Sequence, residues 1–257
     1  MTAVNCARDL HKVRRRVRNS NLLVISDTPS TIKAALDSVA RNTALLESYI
    51  RRRPDFRTAL SPISVEAGAP QVARMAAEAA EIAGVGPFAA ITGALAEMAM
   101  TDMVSAGAKI CVVENGGEIA ALSSLPLDVA VYAGPSALSC RVGFHLTTED
   151  FPIGIATSSA TVSDAVNFGL ADAAVVVADS ATMADAAAKT VCNAVTGEDA
   201  ESSVQKGLEV AKGISNIRGA LVVRGKHVGV VGRLPKLVKI EGSTGDVLTA
   251  ALYDPKR

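Results

Sequence analysis

Four short segments of the chain combine glycine with hydroxyl and carboxyl side chains, the residue types that contact phosphate groups and cations. They lie at residues 85–94, 114–118, 152–161 and 180–189. Backbone N–H groups beside glycine, together with Ser and Thr hydroxyls, can donate hydrogen bonds to phosphate oxygens. The four segments therefore indicate a binding site for an anionic small molecule or a nucleotide.

The third segment carries the most hydroxyl groups and has two interpretations. Gly154 precedes Thr157, Ser158 and Ser159, so backbone and hydroxyl donors could together surround a phosphate group. A stretch rich in Ser and Thr between two strands is also typical of an ordinary turn. The pattern alone leaves both interpretations open.

The fourth segment opens a predicted helix and places a carboxylate in its first turns. Ser180 is a predicted N-cap for a helix that begins near Ala181. Asp185 then either interacts favourably with the dipole of this helix or contacts a cation or a ligand.

Other kinds of site are not predicted. The chain lacks a Gly-x-Ser-x-Gly nucleophile motif and a Gly-x-x-x-x-Gly-Lys phosphate loop, and its three histidines are scattered. The cysteines at 6, 111, 140 and 192 form no Cys-x-x-Cys pair, so neither a zinc site nor a cytoplasmic disulfide is expected. Cys111 and Cys192 are predicted to be small core residues.

Hydrophobic periodicity predicts an α+β fold with two similar halves. In the second half, helices at 181–196 and 200–214 separate strands at 128–133, 139–146 and 172–178 from strands at 218–223, 227–232 and 236–241. The first half repeats this order loosely, with strands at 12–18, 22–25 and 110–113 and helices over 29–53, 70–83 and 89–106. We therefore expect one domain, residues 1–257, whose halves near 1–123 and 124–257 share one core.

Two local patterns predict particular positions. Asn115-Gly116 is a strong signal for a tight turn, because both residues tolerate positive φ. Lysine and arginine alternate with valine over residues 12–18, which is typical of a solvated edge strand. The alternative is a basic strip that faces a phosphate group or a second subunit.

The composition predicts a soluble cytoplasmic protein. No apolar run approaches the roughly 18 residues that a membrane span needs, and no signal peptide is expected. Residues 1–60 hold 12 basic and 5 acidic residues while the whole chain has zero net charge, so this part would attract an anionic ligand or an acidic partner. Aromatic residues are only 3%, so nucleic-acid binding is not expected, whereas a homo-oligomer stays open.

Taken together, the four segments point to one protein family. VGPFAAITGA at 85–94, ENGGE at 114–118, GIATSSAT at 154–161 and ADAAAK at 184–189 occur in the order and spacing of one family. Across almost its whole length the chain resembles the ApbE-like family, a branch related to the flavin transferases that attach FMN to proteins.

The resemblance implies a duplicated T-fold, built from two strand–helix–helix–strand halves. It also implies that FAD or FMN lies between the halves, and in the transferases Mg²⁺ helps to split the FAD diphosphate. The acid of the metal helix corresponds to Asp185. The cofactor-binding residues implied for this chain are Thr92, Asn115, Gly116, Gly117, Glu118, Gly154, Thr157, Ser158, Ser159, Asp185 and Lys189.

Two departures from the transferases alter this expectation. Residues 163–169 replace the His-Ile-Asp-Pro stretch of the transferases, which predicts that this protein does not transfer flavin to other proteins. Lys189 stands where the metal helix usually has Thr, four residues after Asp185. Its ammonium group either pairs with Asp185 in place of the cation or points to solvent, so no metal ligands are assigned.

The expected function is therefore flavin or nucleotide binding in redox or sulfur metabolism, and the family is associated with homocysteine synthesis from sulfide. One alternative is an accessory protein for sulfide or thiol handling that binds no flavin. The other is a scaffold that kept the fold and lost the chemistry.

Overall fold

The computed structural model describes the backbone of residues 2–5 and the complete residues 10–162 and 166–240. The helices are α1 (Pro29–Arg52), α2 (Asp55–Thr58), α3 (Gln71–Ala83), α4 (Ile91–Ser105), α5 (Ala181–Ala194) and α6 (Ala200–Gly213), with 3₁₀ turns at Pro87–Ala90 and Thr148–Asp150. The strands are β1 (Thr2–Asn5), β2 (His11–Val17), β3 (Ser20–Ser26), β4 (Ile110–Asn115), β5 (Glu118–Ser123), β6 (Leu127–Val131), β7 (Val142–Leu146), β8 (Ile153–Ser158), β9 (Ala173–Ala178), β10 (Ile217–Arg224), β11 (His227–Gly232) and β12 (Lys236–Lys239).

The larger sheet contains eight antiparallel strands in the order β2-β3-β4-β5-β8-β9-β10-β11. β5 pairs with β8, with Ile119 opposite Ile155, and so joins two sets of four strands. Each set lies in chain order and has its helices between its second and third strands. The mixed α/β architecture is as predicted, and the repeated order is compatible with a duplicated T-fold.

A second sheet of four strands, β1-β6-β7-β12, covers part of the larger one. Phe144 and Leu146 from this small sheet share a buried cluster with Leu23 and Val175 from the larger sheet. The sequence prediction found the strands from 128 to 146 and from 236 to 241, but it did not separate them into a sheet of their own.

The helices pack on the opposite face of the larger sheet through very small residues. A Cβ atom added to Gly93 in α4 would lie 2.3 Å from the Ala181 carbonyl oxygen in α5. A Cβ atom added to Gly154 in β8 would lie 2.3 Å from the Ala181 nitrogen. Because both glycines lack that atom, the start of α5 can touch α4 and the sheet at once.

The structure corrects two local predictions. Asn115 does not form the tight turn but ends β4 opposite Glu118, and the turn consists of Gly116 and Gly117, both at positive φ. Two consecutive positive φ angles suit Gly-Gly better than Asn-Gly. Residues 154–158 are not a turn either, because Gly154 pairs with Ala178 in the middle of the sheet.

The basic N-terminal segment is confirmed as an edge strand. β2 is the last strand of the larger sheet, and Lys12, Arg14 and Arg16 are exposed. Val13 and Val17 pack against a buried cluster on the helix-covered face. The exposed charges protect the open edge from pairing with another strand.

No single helix in the described ranges has the length and composition to cross a bilayer. The bent pair of Gln71–Ala83 with Pro87–Ser105 meets both criteria only when the two helices are taken together.

Candidate functional site

A cavity of about 540 Å³ lies where α1, the start of α4, the β4–β5 turn, the end of β8 and α5 meet. Of the eleven predicted site residues, nine line it: Thr92, Asn115, Gly116, Glu118, Thr157, Ser158, Ser159, Asp185 and Lys189. Segments that are up to 97 residues apart in sequence thus contribute to one wall, because the β5–β8 pairing brings the two halves together.

Two predicted site residues do not line this cavity. Gly117 forms the second position of the β4–β5 turn. Gly154 faces the backbone of Ser180 and Ala181, so its role is to admit α5 to the sheet. Residues 163–165, part of the stretch that departs from the transferases, lie outside the described residues.

Sequence reasoning missed the wall that α1 contributes and the aromatic side chains of the lining. The lining residues outside the predicted segments are Asn19, Ser20, Asn21, Thr43, Leu46, Glu47, Ile50, Arg57, Leu95, Tyr132 and Val162. Phe88, Ala89 and Ile91 belong to the predicted segment 85–94 but were not singled out as site residues. Arg57 lies over the Phe88 ring, with its guanidinium carbon 5.7 Å from the ring centroid. The sequence did not predict this cation–π contact, because Phe88 lies 31 residues after Arg57 in the chain.

Asp185 caps the neighbouring helix. Its Oδ2 accepts a hydrogen bond of 2.8 Å from the backbone N–H of Gly93, in the first turn of α4. The N-terminus of α4 is therefore already matched with a carboxylate and is less attractive to a phosphate group. Neither predicted role of Asp185 included this contact between helices.

Glu97 of α4 in turn caps the N-terminus of α5. Its Oε2 accepts hydrogen bonds from the Ser180 hydroxyl at 2.6 Å and from the Thr182 backbone N–H at 3.0 Å. Ser180 is also the N-cap of α5, as predicted, since its side chain accepts from the Met183 N–H. A second cavity of about 480 Å³ lies here, and Glu97 Oε2 in its lining already accepts three hydrogen bonds, the third from the Thr182 hydroxyl.

The predicted ion pair between Asp185 and Lys189 is wrong. No N···O distance between these two described side chains is within the 4.0 Å of an ion pair, because Asp185 is turned towards α4. Lys189 does not point to solvent either. Its Nζ donates to Asn167 Oδ1 at 2.8 Å and to the Val166 carbonyl oxygen at 3.2 Å.

The deep part of the cavity holds two buried carboxyl groups. Burial raises the pKa of Asp185 to about 7, although the Gly93 N–H and the Lys189 charge oppose the shift. Burial and then the Asp185 charge raise the pKa of Glu118 well above its ordinary range. Burial also lowers the pKa of Lys189. Neutral groups here are favoured because the site is poorly solvated.

A third buried carboxyl group lies close by, on the other face of the sheet. Glu114 is adjacent to Asn115 in β4, and its Oε1 has no hydrogen-bond partner in the described structure. Burial raises its pKa to about 7. Glu114 and Glu118 in the β4–β5 hairpin and Asp185 beside it therefore all resist ionisation.

The described cysteines are not reactive thiolates. Burial raises the pKa of Cys111 to about 12 and that of Cys192 to about 11, and it also raises the pKa of Cys140. A protonated, buried thiol is a poor nucleophile. Cys6 lies outside the described residues.

A divalent cation does not fit the described donors. No three His, Cys, Asp or Glu side chains in the described ranges are grouped to hold one metal ion. Asp185, which was expected to correspond to the acid of the metal helix, already accepts the Gly93 N–H. The ammonium group of Lys189 also lines the same cavity.

We expect Asp185→Asn to be at least as stable as the wild type at pH 7, because asparagine keeps an acceptor for the Gly93 N–H and removes a buried charge. Asp185→Ala should lose about 1 kcal/mol of unfolding free energy, the usual cost of a lost helix cap. Urea denaturation of both variants measures the difference. Equal stability of the two variants would mean that the cap is unimportant.

The comparisons with known proteins agree on one family. The family described as AbpE bacteria matches residues 4–225. A UPF0280 protein of Methanocaldococcus jannaschii is 40% identical over 232 residues, which cover 90% of this chain and 94% of that protein.

Two solved structures share the fold. An ApbE protein of Thermotoga maritima superposes with a TM-score of 0.55 at 13% identity, over 86% of this chain and 96% of that one. The apo form of a Pseudomonas stutzeri flavinyl transferase ApbE gives a TM-score of 0.50 at 13% identity, over 86% and 93%.

Proposed function

The chain belongs to the family described as AbpE bacteria, and we propose that its cavity binds a flavin or another nucleotide. The observation that carries the proposal is the convergence of nine residues, from four separate segments, on one cavity. Its volume of about 540 Å³ lies within the range of about 300–1,000 Å³ that is typical of small-molecule sites.

The lining offers groups for both ends of such a ligand. The hydroxyls of Thr157 and Ser158 make no hydrogen bond within the described structure and are available to a phosphate group. Phe88, which is 40% exposed, offers an aromatic surface to a planar ring. The name of the Pseudomonas stutzeri structure, a flavinyl transferase with the same fold, makes a flavin the first ligand to test.

Flavin transfer to other proteins is not part of this proposal, because residues 163–169 lack the His-Ile-Asp-Pro stretch. A role in cytoplasmic redox or sulfur metabolism rests on the family resemblance. The thiol-handling alternative is less favoured, because the described cysteines are buried and protonated. A scaffold without a ligand is the remaining alternative.

Titration of the purified protein with FMN, FAD and ATP tests the proposal. We expect saturable binding of at least one of them, seen as heat release or as quenching of flavin fluorescence. If none of the three binds at millimolar concentration, the cavity is not a nucleotide site and the scaffold alternative is favoured.

Lys189→Met should weaken FMN binding about tenfold and leave riboflavin binding unchanged, because only FMN carries a phosphate that a lysine can hold in a charge-assisted hydrogen bond. Lys206→Met is the matched control, since Lys206 is exposed and lies outside the cavity lining. Equal losses for FMN and riboflavin would show that Lys189 acts through Asn167 and the backbone rather than through the phosphate.

A further inference from the structure

The polar groups of the cavity differ in whether the protein already uses them. Asp185 accepts the Gly93 N–H, and the Asn115 amide donates to the Thr92 carbonyl oxygen at 3.2 Å. Lys189 donates to Val166 and Asn167. Within the described structure, the Glu118 carboxyl group has neither a salt bridge nor a hydrogen bond to another residue.

This unused carboxyl group is buried and lines the cavity. Glu118 is only 8% exposed, and it stands directly after the Gly116–Gly117 turn, where β5 begins. Its position is fixed by the backbone pairing with Asn115. No other described residue donates a hydrogen bond to this carboxyl group, so its position at the wall of a cavity points to a partner that arrives with the ligand.

The charges around Glu118 decide which kind of partner it can take. Asp185 of α5 and Glu114 of β4 both act on it as negative charges, and Lys189 of α5 is a positive charge in the same lining. A phosphate group beside Glu118 would add a further negative charge to a poorly solvated site. A hydrogen-bond donor would instead satisfy the carboxyl oxygen, which always keeps acceptor capacity.

We propose that Glu118 is the specificity-determining residue of the cavity and accepts a hydrogen bond from an N–H group on the edge of a heteroaromatic ring. This inference rests on the proposed function, since it gives the orientation in which a flavin or nucleotide binds in the cavity. The ring edge lies at Glu118, and the anionic part of the ligand lies towards Lys189 and the hydroxyls of β8.

Two rings share this chemistry, the imide edge of a flavin and the amino edge of adenine. The test therefore uses two ligand pairs: FMN with N3-methyl-FMN, and AMP with N6,N6-dimethyl-AMP. In each pair, methylation removes the N–H donor from the ring. For whichever of the two rings the cavity binds, the wild type should bind the parent ligand at least about tenfold more tightly than the methylated ligand. This factor is the usual contribution of one hydrogen bond to a buried charged or polar group.

The same titrations with Glu118→Leu attribute the preference to this residue. We expect the variant to bind parent and methylated ligands within twofold of each other. Glu118→Gln, which keeps an acceptor oxygen, should retain the preference within about threefold of the wild type. Glu81→Leu makes the same change at an exposed position outside the lining and should behave as the wild type.

The outcomes separate this inference from the proposed function. If the wild type binds none of FMN, FAD, ATP and AMP, both are overturned. If it binds FAD or ATP but neither FMN nor AMP, only this inference is overturned. If it binds a parent ligand but Glu118→Leu keeps the full preference for that parent, the ring N–H is recognised elsewhere and only this inference is overturned. A wild type that binds the methylated ligand as tightly as the parent overturns it in the same way, even if the leucine variant does not fold.

Discussion

Gly154→Ala should destabilise the protein by about 3 kcal/mol, the upper part of the usual range for overpacking a core. The added Cβ would lie 2.3 Å from the Ser180 carbonyl carbon and 2.5 Å from the Ala181 Cα. All the nearest atoms belong to the backbone, so no side-chain rotation can relieve the clash. The start of α5 must therefore move away from β8.

A displaced α5 would also disturb the cavity. Asp185 and Lys189 both lie on α5, and the Asp185 bond to Gly93 joins this helix to α4. We therefore expect Gly154→Ala to lose ligand binding together with stability, although Gly154 does not line the cavity. This combined loss distinguishes a packing role from the phosphate-contacting role that the sequence predicted for Gly154.

Gly213→Ala is the matched control for the packing argument. Gly213 ends α6, and no atom lies within 4 Å of the Cβ that alanine would add there. Alanine should be neutral or stabilise α6 by up to about 1 kcal/mol. Urea denaturation of the two variants measures the contrast, and a Gly154→Ala protein as stable as Gly213→Ala would show that the helix–sheet contact is not tight.

The same glycine marks the limit of what the sequence could predict. Its type and its hydroxyl-rich neighbours were visible, and so was the family pattern that contains them. Whether a glycine makes room for a ligand or for a helix depends on which atoms pack against it. Here those atoms belong to Ser180 and Ala181, which are 26 and 27 residues further along the chain. Local sequence does not carry that information.

The cavity residues illustrate the opposite case. Asn115, Thr157 and Asp185 belong to the predicted segments, and the structure brings them together because β5 pairs with β8. The wall formed by Thr43 and Glu47 was not predicted, since these residues only continue the periodic pattern of α1. Their part in the cavity follows from how α1 packs, which periodicity alone does not determine.

The free energy of unfolding should fall as the pH rises from about 4.5 to about 7, and Glu114 should account for a large part of the change. Burial raises the pKa of Glu114 from the ordinary 4.5 to about 7 in the folded protein. Below pH 4.5 the group is neutral in both states and contributes nothing. Between the two pKa values the unfolded chain releases its proton while the folded chain keeps it, so ionisation favours unfolding.

The expected size follows from the width of this pH window. Each pH unit between the two pKa values costs roughly 1.4 kcal/mol, so Glu114 removes about 3 kcal/mol by pH 7.5, and the loss does not grow further at higher pH. Asp185 and Glu118 shift in the same direction. The total change for the wild type should therefore exceed the part that Glu114 contributes.

Glu114→Gln isolates that part, because glutamine has nearly the same shape and does not ionise. Urea denaturation at pH 4.5 and pH 7.5 should show that the free energy of unfolding falls by about 3 kcal/mol less in this variant than in the wild type. The variant should therefore be the more stable protein at pH 7.5, since it removes a buried charge whose desolvation cost the Gly117 N–H and the Arg14 charge offset only in part. Glu81→Gln, at an exposed position, should keep the pH dependence of the wild type. If Glu114→Gln keeps it too, the Glu114 carboxyl group is solvated or paired in solution and the burial of β4 described above does not hold there.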